Sequence, residues 1–365
     1  MAKGLGNVFG QASWKVASDR VEAHISQTGA QVGPVTFDLG DKKVQPFHIS
    51  PWHSELIDAP SLIKVLRGDF FCLPFGLNET AYGDEEHPVH GETANEVWTE
   101  VGAGTYELRT RIRAGLVRRK VSLRSGETNI YLSSAIVGMS GPMCFGNHAM
   151  LAFPSQGLVS ASSFMFGQVF PGEFEVPAAG GYSSLKEGEV FQRLEVVPMA
   201  NGSIADLSTY PAREGFEDLV MLVGDESLPF AWNAVVFPQE GYLWFCLRNP
   251  KVLRHTVLWH SNGGRHYAPW NGRHRAVLGI EDVTAYFHYG LAESCAPNPI
   301  SDQGFLTCVD LDPAVPLEAN TIMGVVRVDE NAEHVEDIVE AAGGVDIQMR
   351  SGETIFAKVD LPFLK

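Results

Sequence analysis

Apolar and polar residues alternate with period two along much of the chain. In NIYLSSAIVG, Ile130, Leu132, Ser134 and Ile136 fall on one face. In TYELRTRIRA, Tyr106, Leu108 and Ile112 interleave with charged residues, and the phase slips near Thr110. VDIQMRS and ETIFAKVDL repeat the pattern near the C-terminus, and LWFCLRN and HTVLWHS are β-rich runs bounded by turn residues. Many short strands, punctuated by 37 Gly and 21 Pro, predict an all-β chain. The expected architecture is one large, mostly antiparallel β-sandwich domain spanning residues 1–365.

Helical signals are few. ENAEHVEDIVEAAGG predicts a helix, because Val335, Ile338, Val339 and Ala342 share a helical face, acids crowd its start and Gly343-Gly344 ends it. SLIKVLRG is a weaker candidate. The Gly/Pro/Ser-rich stretch 154–185 predicts long loops within the same domain, since aromatic residues continue through it.

Composition narrows the function. With 45% apolar and 19% charged residues, the chain can build a sizeable core. It carries 27 Lys and Arg against 44 Asp and Glu, a net charge of −17. That balance opposes binding to nucleic acid or to an anionic membrane. No apolar window of about 20 residues predicts a membrane span, and MAKGLGNVFG lacks the pattern of a secretory leader. The five cysteines form no CxxC pair, so buried free thiols and a cytoplasmic location are expected. Oligomeric state is not legible.

Unusual residues concentrate in four segments: LRGDFFCLPFG with Arg67, HPVHGETANEVW with His87, His90, Glu92 and Glu96, GNHAMLAFP with Asn147 and His148, and a long one over residues 258–287. The last carries Trp259, His260, Asn262, His266, Trp270, Asn271, His274 and Glu281. Such a set suits a sugar, whose hydroxyls bind Asn, Arg, His and carboxylates and whose C–H faces pack on Trp. A Glu and a His can supply acid–base chemistry on opposite sides of one bond. Taken singly, His148 also reads as a core histidine, Arg67 as an ion-pair residue, and Trp259 and Trp270 as core residues. His87, His90, Glu92, Glu96 and His148 could ligate a metal, but their HxxH spacing departs from the cupin HxH pattern. Motifs for serine hydrolysis, nucleoside-phosphate loops and dinucleotide binding are missing.

In this order, the four segments resemble the aldose 1-epimerase (galactose mutarotase-like) superfamily. RGDFFCLPFG matches its Arg-bearing segment with a Pro-x-Gly turn, His90-Gly91 its His-Gly pair, Asn147-His148 its Asn-His, and LGIE with Glu281 its late Glu. WHSNGG and LGIED look closest to uncharacterised branches. Asp282 stands where Pro is common, and Glu92 where an aromatic residue is frequent. The resemblance implies the supersandwich fold, no cofactor, and interconversion of the α and β anomers of a free sugar. It implies Glu281 as general base and His148 as general acid, the Glu ionised and the His protonated at rest. Arg67 and His90 would orient the sugar, with Trp259, His260, Asn262 and Trp270 as further contacts. Two other readings remain: a non-catalytic carbohydrate-binding protein, and another sugar enzyme, such as a hydrolase pairing Glu92 or Glu96 with Glu281.

Overall fold

The computed structural model of the protein describes residues 4–365. Among these, twelve strands form one sheet and nine a second, and the main core lies between the two. Five strands of the larger sheet carry the site: β1 (Asp69–Cys72), β2 (Phe145–Ala152), β3 (Phe216–Gly224), β4 (His255–Asn262) and β5 (Val277–Thr284). Their spatial order is β1-β2-β5-β4-β3, all antiparallel. Residues close in space on this sheet are therefore distant in sequence. Two one-turn helices flank β1: α1 (Ser61–Val65), within the predicted SLIKVLRG, and α2 (Gly91–Asn95).

The predicted strands form. NIYLSSAIV buries Ile130, Leu132, Ser134 and Ile136, as its alternation requires. The phase slip after Thr110 is a turn following the strand Thr105–Thr110. Tyr242–Arg248 shows no alternation because it is covered on both sides. Trp244 and Cys246 point into the main core, while Leu243, Phe245 and Leu247 point into a second cluster. A three-stranded sheet, Val335–Ala341, Gly344–Met349 and Thr354–Lys358, supplies Val335, Ile338, Val345 and Ile347 to that cluster.

Three expectations are corrected here. ENAEHVEDIVEAAGG is no helix: Val335–Ala341 pairs antiparallel with Gly344–Met349. An irregularity between Val335 and Asp337 adds one residue to that strand. It brings Val335 and Ile338 to the same face three residues apart, a spacing that imitates a helical turn. The stretch 154–185 is not only loop, since it holds the strands Gly157–Ala161 and Phe164–Val169. Cys295 and Cys308 are a disulfide rather than free thiols, with Cα atoms 5.3 Å apart. A turn centred on Asn298 brings them together: its Nδ2 donates to Thr307 Oγ1 (2.9 Å), and Thr307 donates to the Ser294 carbonyl (2.7 Å). Cys72, Cys144 and Cys246 are buried free thiols, as expected.

Candidate active site

A strand sends alternate side chains to opposite faces of its sheet. On β5, Glu281 points away from the second sheet into a cavity of about 490 Å³, while Asp282 points between the sheets. Neighbouring strands bring His148 (β2) and Trp259 (β4) to the same cavity. Gly279, two residues before Glu281, leaves room for the carboxyl group: a Cβ there would lie 2.6 Å from Glu281 Oε1.

His148 Nε2 lies 3.3 Å from Glu281 Oε1, and both side chains are at least nine-tenths buried. The His148 ring stacks on Phe70 of β1, centroids 4.5 Å apart. Burial pushes the Glu281 carboxyl well up and the His148 imidazole well down. Both shifts favour a neutral acid beside a neutral imidazole, a form that holds the same single proton as the charge-separated pair expected from sequence, on the other partner.

His90 also lines the cavity, 5.1 Å from the His148 ring centroid. The chain reaches it through a left-handed pair, His90 (φ 57°) and Gly91 (φ 75°). A Cβ on Gly91 would lie 1.8 Å from the Leu73 carbonyl oxygen, so glycine is required there. Burial drives the His90 pKa down to about 3. Its Nδ1 accepts from the Gly76 N–H at 3.3 Å, so the neutral ring carries its proton on Nε2 and is a donor there.

A second polar group on the cavity wall escaped sequence reasoning. The Arg265 guanidinium lies over Trp259 and Trp270, at 5.1 and 4.7 Å from their ring centroids. Its Nε donates to Glu175 Oε1 (2.5 Å), and the Tyr267 hydroxyl donates to Glu175 Oε2 (3.1 Å). Behind Trp259, Glu217 accepts from the indole N–H (2.9 Å), from Ser261 Oγ (3.0 Å) and from the Gly264 N–H (3.0 Å). Glu217 is fully buried, and burial raises its pKa to about 7. In the sequence Arg265 is one of three arginines, with Arg273 and Arg275, that precede Glu281. Glu175 and Glu217 lie on distant segments, and only the spatial strand order joins them to it.

Of the sequence-predicted site residues, Glu281, His148, His90, Trp259 and Trp270 gather at the cavity. Arg67, His260 and Asn262 do not line it. Arg67 is fully buried and donates to the carbonyls of Val65, Val8 and Phe9. His260 alternates with Trp259 on β4 and so turns inward, its ring 5.5 Å from that of Tyr210. Asn262 bridges the Ala212 carbonyl and the Ala276 N–H. The residues weighed as metal ligands do not converge either. His87 Nε2 meets Glu85 Oε2 at 2.9 Å, and the Glu92 carboxylate accepts from the Arg111 and Ile112 N–H groups. Glu96 pairs with Arg111, so neither Glu92 nor Glu96 faces Glu281 across the cavity.

Two broad antiparallel sheets with the cavity on one of them define a galactose mutarotase-like fold. The chain is similar to a candidate aldose 1-epimerase from Escherichia coli K12, at TM-score 0.57 and 12% identity, over 87% of this chain and 100% of that one. It is similar also to a galactose mutarotase related enzyme from Lactobacillus acidophilus (TM-score 0.55, 13% identity, 87% and 98% covered). A third is a galactose mutarotase-like protein from Lactobacillus casei ATCC 334 (0.54, 11%, 86% and 100%). No protein-family model and no curated protein matches the chain. No helix among the described residues is long and apolar enough to cross a membrane.

Proposed function

We propose that the protein is a mutarotase-type isomerase that interconverts the α and β anomers of a free aldose. The observation that carries this reading is the buried Glu281–His148 pair, 3.3 Å apart on the cavity wall. Anomer exchange requires a proton to leave the C1 hydroxyl and another to reach the ring oxygen. When the sugar arrives, its hydroxyls and the Arg265 guanidinium favour the ionic form of the pair, with the proton on His148. Glu281 then takes the C1 proton while His148 delivers its own to the ring oxygen. The ring opens, the C1–C2 bond rotates, and closure on the other face reverses both transfers. His90 Nε2–H orients the sugar and supports charge on its oxygens, and Trp259 and Trp270 offer faces to its C–H groups. Arg265 stands in the role first given to Arg67. No cofactor enters this scheme. We read the whole chain as one domain, because the C-terminal sheet completes a core on the outer face of the nine-stranded sheet.

Anomer exchange measured by NMR on a panel of neutral, acidic and phosphorylated aldoses tests the reading. Enzyme-dependent exchange of at least one sugar is expected, and Glu281→Gln is expected to lower kcat about 10²–10⁴-fold. Exchange of no sugar by a folded, sugar-binding protein would move the non-catalytic reading ahead.

A further inference from the structure

The cavity is built asymmetrically, and its chemistry narrows the sugar. Every arginine that lies near Glu281 in sequence is engaged by a carboxylate: Arg265 by Glu175 (2.5 Å), Arg273 by Glu55 (2.6 Å) and Arg275 by Glu214 (2.7 Å). Arg265 alone of the three lines the cavity, where Glu79, Glu175 and Glu281 also stand. Lys64, the cation of α1, lines a separate depression with Gly10 and His53. The Glu281–His148 pair is neutral as a whole, so an anionic substituent would meet the carboxylates of Glu79 and Glu175 against the single cation Arg265, and its desolvation would go uncompensated. The wall beside α1 is aliphatic instead, made by Leu62, Ile63 and Leu66 with Val89. A hydroxyl pressed against such a wall loses its water without gaining a partner, whereas a methyl group gains from the same contact.

We propose that the sugar taken by this cavity is uncharged and bears an apolar substituent in place of one hydroxyl, a 6-deoxyhexose being the simplest case. This rests on the isomerase reading for its catalytic form, but its binding part stands separately. The test compares a 6-deoxyhexose, the parent hexose and the hexose 6-phosphate of the same ring stereochemistry, in the galacto, gluco and manno series. Each is measured for anomer exchange by NMR and for binding by saturation-transfer NMR. In the preferred series, kcat/KM is expected to be about tenfold higher for the deoxy sugar than for the parent, the scale of one group in an apolar pocket. The phosphate is expected to fall at least about 100-fold below the parent. Val89→Thr, which places a hydroxyl in the wall at little change of shape, is expected to narrow the deoxy preference. A parent hexose or hexose 6-phosphate that matches or exceeds the deoxy sugar in every series overturns the inference. If no sugar exchanges, the isomerase reading falls, and binding alone decides. Tighter binding of the deoxy sugar sustains the inference, while equal, weaker or undetectable binding overturns it.

Discussion

Glu281 and Asp282 are adjacent acids on one strand with opposite surroundings. Asp282 faces the layer between the sheets, where Arg248 Nη1 stands 2.9 Å from it and Asn233 and Thr256 donate to it at 2.9 Å. Asp69, on β1, likewise meets the Arg119 guanidinium in that layer. Glu281 faces the cavity and is paired with an imidazole rather than a guanidinium. The interior carboxylates are thus matched with guanidinium groups that fix the two sheets together. The Glu281 carboxyl is left without a guanidinium partner, and burial raises its pKa. Strand alternation separates the two tasks within one step of the chain.

Breaking the interior side of this contrast gives the largest expected effect. Asp282→Ala leaves Arg248 buried without its partner and should cost about 3–5 kcal/mol in a denaturant titration. Glu281→Gln, one residue away, should leave stability within about 1 kcal/mol, since it removes no guanidinium partner.

Glu217 sharpens the comparison through pH. Its folded-state pKa, raised to about 7, exceeds the usual value of 4.5. The protonated form is therefore favoured by folding, so its contribution is fully present below pH 4.5 and is lost as pH rises through 7. Wild type should lose about 3 kcal/mol across that window from this group, and Glu217→Gln should flatten that part of the profile. Urea midpoints collected at intervals of half a pH unit measure it.

Trp259→Phe removes the indole donor to Glu217 and should destabilise by about 1–3 kcal/mol. Gly279→Ala gives the smallest expected change in stability. It crowds Glu281 Oε1 rather than backbone, so it should lower anomer exchange while the thermal midpoint shifts by no more than a few degrees.

Much of the fold was readable because amphipathic strands such as Asn129–Val137 advertise their period. The site strands gave weaker signals. β4 and β5 are buried along their whole length and β2 at all but its last residue, so neither their burial nor their sequence reveals which residues face the cavity. That ambiguity explains why His260 was grouped with Trp259, although they point to opposite faces. The C-terminal hairpin misled because a single inserted residue turns period two into an apparent period of three or four. Arg67 misled for another reason: nothing local distinguishes a guanidinium that binds backbone carbonyls from one that meets a ligand. The pairing of Arg265 with Glu175 spans 90 residues and depends on the spatial arrangement of loops that no local pattern encodes.

The most direct test places Glu281→Gln and Asp282→Asn side by side, measuring anomer exchange by NMR and unfolding by urea on the same preparations. The account predicts a Glu281 variant that is folded but at least about 100-fold slower in exchange, and an Asp282 variant that is chiefly less stable. Exchange at the wild-type rate in a folded Glu281→Gln protein would contradict it.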